Sequence, residues 1–124
     1  MILSNRWLLA LAALNGFLGV ALGALATHGV SDPHARELIR TGAIYQLIHG
    51  VAAVAVLNRS RWSALLMTVG AFLFAVSIYL LAFSILTPLV GPVTPLGGLL
   101  IMAGWVVLLV TAFRRGGSLK PENP

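Results

Sequence analysis

The chain has 124 residues, 59% hydrophobic and only 9% charged, with a mean hydropathy of +0.97; a soluble domain carries about 25% charged residues, so this inventory cannot cover a water-facing surface. The net charge of +5 comes from eight Lys and Arg against three Asp and Glu, and the basic residues stand at the edges of apolar runs, the pattern of a membrane topology signal rather than of a nucleic-acid surface. The absence of cysteine excludes disulfides, thiolate zinc sites, iron–sulfur clusters and cysteine nucleophiles.

Arg6 precedes 21 uncharged residues, 7–27, enough to cross a hydrocarbon core of about 30 Å. Ala24-Leu25-Ala26 has the form of a signal-peptidase site, but the apolar part exceeds the usual roughly 7–15 residues, so we read a retained span. Ala12, Gly16, Gly19, Gly23 and Ala26 form a band of small residues on it, which lets a neighbouring helix approach closely, and packing within the chain is expected to use it. After His28-Gly29, Asp32-Pro33 has the form of an N-cap followed by proline at the first helical position. The second span is expected at about 38–57, and the basic hairpin 58–61 turns the chain into a third, about 62–86. The connection 87–94 holds Pro88, Gly91 and Pro92 but no charge. Thr94-Pro95 repeats the cap-then-proline pattern ahead of a fourth span, 95–113, and a polar tail, 114–124, with residues from Gly116 onward expected to be poorly ordered.

The fold expected is therefore all-α, a single integral-membrane four-helix bundle. Four spans put Arg6, Arg59, Arg61, Arg114, Arg115 and Lys120 at one end and only Arg36 and Arg40 at the other, which predicts both termini in the cytoplasm. The inner membrane of a bacterium is the expected location.

Inside the second span Tyr45 and His49 stand at i and i+4, and Gln46 and His49 at i and i+3, so the three share one helix face. Polar groups there must face other helices or a cavity. At a rise of about 1.5 Å per residue, Tyr45 and Tyr79 lie roughly 10 Å below the outer surface, with Gln46 and Ser77 near them. His28, Thr41 and Thr94 belong to the same outer half. His49 and Asn15 are deeper, about 16 and 18 Å down, which predicts an Asn15–His49 hydrogen bond. Gly97, Gly98 and Gly104 offer further close contacts on the fourth span. Trp7 and Trp62 fit an interfacial belt, and Trp105 joins no cluster.

Chemistry is harder to place. No acid lies within a span, and no metalloprotease, nucleophile-elbow or phosphate-loop pattern occurs. His28 and His49 differ in depth by roughly 16 Å, too far to clasp one metal or haem. No cofactor is expected.

The chain resembles the YgdD or transmembrane protein 256 family of small four-helix membrane proteins, a domain of unknown function. The residues that carry the resemblance are Gly23-Ala24-Leu25-Ala26-Thr27-His28, the run Thr41 to His49, Phe74-Ala75-Val76-Ser77-Ile78-Tyr79, Thr94-Pro95-Leu96-Gly97-Gly98, and Gly104-Trp105. Ala26 replaces a glycine of the family pattern, and Ala75-Val76 replaces Ser-Gly. The resemblance implies an integral membrane protein and supplies no biochemical activity.

The function expected is non-enzymatic: a bundle that binds a membrane-protein partner, lipid or a second copy of itself. The competing readings are transport of a small solute or proton through the bundle, and a quinone-binding or redox subunit.

Overall fold

The structure is a computed structural model that describes residues 4–114. It contains α1 (Asn5–His28), α2 (Pro33–Val56), α3 (Arg61–Ala82), the single turn α4 (Thr87–Val90) and α5 (Val93–Arg114). Four helices are long and apolar enough to cross a membrane: α1, α2, α3, and α4 with α5 as one span. Arg115, Lys120 and the rest of the expected polar tail lie outside the described residues.

The helix ends follow from local chemistry. α1 stops where the Gly29 amide donates to Leu25 O at 2.7 Å. α2 starts as expected from Asp32-Pro33: the aspartate Oδ2 accepts from the Ala35 amide at 2.8 Å, with Pro33 at the start of the helix. An N-cap of this kind is worth about 1 kcal/mol. Arg36 donates back to Val30 O and Ser31 O and so fastens the preceding loop. At the hairpin, Ser60 Oγ accepts from the Ser63 amide at 3.3 Å and opens α3.

The fourth span differs from the expected cap. α5 begins at Val93, so Thr94 lies inside its first turn, and its hydroxyl is taken by Ser77 of α3 at 2.6 Å. α3 ends at Ala82, short of 86, and the connection beyond it is partly helical. Ser84 and Leu86 there hold left-handed backbone, φ 57° and 52°, at a cost of about 1–3 kcal/mol each. α4 then makes one turn, closed by the Gly91 amide on Thr87 O, and Pro92, which has no amide hydrogen, interrupts the helix before α5.

α2 and α3 form the centre. α1 packs along α2 with a narrower contact to α3, and α5 packs along α3. The α3–α5 crossing is very close: a methyl at Gly97 would lie 2.5 Å from Phe74 N, and one at Gly70 would lie 2.8 Å from Ile101 N. The α1–α2 crossing is similar, with Gly19 against Ala43 O and Gly50 against Ala12 O, each at 2.9 Å from an added methyl. Because lipid is as apolar as leucine, such backbone-to-backbone packing carries much of the association between spans. The small-residue band of α1 splits accordingly. Ala12, Gly19 and Ala26 are buried, whereas an added methyl would meet nothing within 4 Å at Gly16 and only Ala43 Cβ, at 3.7 Å, at Gly23.

Candidate functional site

A chain of side-chain hydrogen bonds crosses the bundle centre. Asn15 of α1 donates from Nδ2 to Thr68 O of α3 at 3.0 Å. Its Oδ1 accepts from Gln46 Nε2 of α2 at 2.9 Å. Gln46 Oε1 in turn accepts from the Tyr79 hydroxyl of α3 at 2.7 Å. Asn15 and Gln46 are almost wholly buried, at 1% and 0% exposed. Three helices are thereby joined by one polar line.

His49 belongs to a second line. Its Nδ1 lies 2.8 Å from Tyr45 O, one turn back, and its Nε2 accepts from the Trp105 indole of α5 at 3.0 Å. An indole nitrogen can only donate, so these partners assign the imidazole hydrogen to Nδ1. The His49 and Trp105 rings meet edge to face with centroids 5.9 Å apart. The expected Asn15–His49 bond is not formed. The reason is helix phase: Gly50 faces the α1 backbone at Ala12 and Asn15, Gln46 lies one turn before it on the same side, and His49 is rotated about 100° away, toward α5.

The other expected members divide. Ser77 donates to Phe74 O at 2.9 Å and meets the Thr94 hydroxyl, joining α3 to α5. Tyr45 is 46% exposed, and its ring packs on Phe74 at 5.0 Å and stacks on His49 at 6.1 Å. His28 and Thr41 are exposed and stand apart from the cluster. Of the fourth-span glycines, Gly97 and Gly104 are tightly packed, the latter against Met67, while Gly98 has room. Pro95 lies in the first turn of α5.

Two interior contacts have no counterpart in the sequence reading. Trp105, expected to join nothing, holds His49. Counted from Val93 it lies about 18 Å down, close to the depth of His49, so depth was the signal that could have found it. Ser63 Oγ donates to Gly104 O at 2.7 Å, a bond from α3 to the α5 backbone. Thr68 Oγ1 is buried without a partner beside the Asn15 bond.

Residues 22–98, more than half of the chain, match the family described as Protein of unknown function (DUF423). The chain belongs to this family. The DUF423 stretch contains Gln46, His49, Ser77, Tyr79 and Thr94, while Asn15 and Trp105 lie outside it. The inner membrane protein YgdD of Escherichia coli is 41% identical over 123 residues, covering 90% of this chain and 93% of that protein. A UPF0382 membrane protein of Haemophilus influenzae is 39% identical over 82 residues, and one of Schizosaccharomyces pombe 39% over 72. Those matches span 58% and 51% of this chain and 65% and 61% of the relatives, somewhat under two thirds of their length. No solved structure matches the chain. With four membrane-capable helices and relatives named as inner membrane proteins, this DUF423 member is a multi-pass protein of the inner membrane.

Proposed function

We propose that the protein is a non-enzymatic membrane bundle that acts by binding lipid or a membrane-protein partner, with the buried polar lines fixing helix register. The observation that carries this is the use of the polar groups. Asn15, Gln46, His49, Ser77 and Tyr79 each bond another part of the bundle, and both ring nitrogens of His49 are occupied. Membrane polar residues of this kind commonly join helices, each bond contributing about 0.6 kcal/mol and up to roughly 1.7.

The competing readings need a group at the centre with a free face. Proton or solute transport calls for water at His49, which is only 5% exposed. A quinone site calls for a free donor there, and both ring nitrogens already have protein partners. Native mass spectrometry of the gently extracted chain, with a visible spectrum of the same sample, tests the proposal. The expected result is the chain alone, with phospholipid, or with a protein partner. A stoichiometric quinone or an absorption band would overturn it.

A further inference from the structure

At the end of the bundle where α3 begins and α5 ends, a cavity of about 710 Å³ opens between the two helices. Its basic lining comes from Arg59, Arg61 and Arg114, and its apolar wall from Val106, Val107 and Val110. Arg61 is positioned by a bond from Nε to Asn5 Oδ1 of α1 at 3.0 Å, while its Nη2 is buried with no partner among the described residues. Burying a guanidinium nitrogen without an acceptor is costly, and the Arg61 side chain borders the cavity.

No carboxylate among the described residues lies at this end. Asp32 and Glu37 belong to the opposite end, about 30 Å away along the helices, and Glu122 is outside the described residues. The partial positive charge at the N-terminus of α3 is offset there by the partial negative charge at the C-terminus of α5, so the positive charge of the cavity is that of its guanidinium groups. Three guanidinium groups, planar and able to bind bidentately, suit carboxylate or phosphate oxygens, and phosphate is the anionic group that bilayer phospholipids share. The valine wall and the exposed Trp62 ring then select among phosphates. They would strand apolar surface beside a free ion, but would lie against an acyl chain.

The geometry points to a binding site for an anionic phospholipid, its phosphate among Arg59, Arg61 and Arg114 and its acyl chain along Val106, Val107 and Val110. This rests on the reading that the protein acts by binding, and names the ligand class. Basic pockets between spans are a recurrent form of anionic-lipid recognition.

The test is native mass spectrometry of the full chain titrated with phosphatidylglycerol and with phosphatidylcholine of the same acyl length. The wild type should retain phosphatidylglycerol at least about tenfold better, and each of Arg59→Gln, Arg61→Gln and Arg114→Gln should weaken that retention about fivefold. Arg40→Gln, at the other end, should change nothing. If Arg61→Gln loses helicity by circular dichroism, Arg59→Gln and Arg114→Gln, whose side chains are exposed, decide the matter. Equal retention of the two lipids, or no change in the arginine variants, would overturn the proposal. Displacement of phosphatidylglycerol by millimolar inorganic phosphate would overturn it too, making this a free-anion site. A quinone or chromophore in the same spectra would count against the non-enzymatic reading alone, leaving the arginine comparison intact.

Discussion

Gln46 is the residue on which the interior depends most, because it is both donor and acceptor in the line from Asn15 to Tyr79. Replacing it by leucine deletes two bonds and leaves Asn15 Oδ1 and the Tyr79 hydroxyl without those partners. The expected loss is roughly 2 kcal/mol, since stranded buried polar groups cost about 1–3 kcal/mol. Tyr79→Phe removes only the last bond and should cost about 1 kcal/mol. The double variant should be little worse than Gln46→Leu alone, because the second change acts on a bond already lost. Unfolding in mixed micelles measures all three, and additive losses would show that the line is not a unit. Tyr45, its neighbour in sequence, should matter less, as its ring packs on Phe74 and His49 while about half of it stays exposed.

Between elements the deciding feature is how nearly the backbones touch. Gly97→Ala would place a methyl 2.5 Å from Phe74 N, and backbone cannot turn aside as a long side chain can. Overpacking of this kind costs about 1–3 kcal/mol, and the α3–α5 crossing should loosen with it. Gly16→Ala meets nothing within 4 Å and should be neutral or stabilising by up to about 1 kcal/mol, since alanine is the better helix former. Thermal unfolding of the two variants side by side is the measurement; equal effects would mean that the crossing is not limited by backbone contact. Both glycines were picked out from the sequence as packing positions. Spacing marks small residues but carries no information about which helix stands opposite, so Gly42, Gly50 and Gly70 went unmarked although a methyl added at each would come within 3 Å of a neighbour.

For the whole molecule, charge sets the expected orientation. Among the described residues Arg6, Arg59, Arg61 and Arg114 belong to the end where α1 begins and α5 ends, and only Arg36 and Arg40 to the other, so that end should be cytoplasmic. Reporter fusions at residues 4 and 114 should give cytoplasmic signals, and one in the 29–32 loop an external one; the reverse pattern would place the arginine cavity in the outer leaflet. That cavity is itself a product of assembly. Arg59 and Arg61 stand more than 50 positions from Arg114 in the chain, and only the packing of α5 along α3 brings them to one opening.

Membrane class, the number of spans and the capping of α2 followed from the sequence alone, because each depends on local quantities: run length, charge count, and an aspartate followed by proline. Depth arithmetic put Gln46 level with Tyr79 and Ser77 near Thr94, and each of these pairs shares a hydrogen bond, since rise per residue is nearly constant. Which polar group meets which depended on helix rotation. A turn of about 100° per residue sends Gln46 toward Asn15 and His49 toward Trp105, and that phase is set by interlocking glycines on three crossings. The hydrogen-bond lines and the arginine cavity were therefore decided by tertiary structure, where small changes in rotation exchange one neighbour for another.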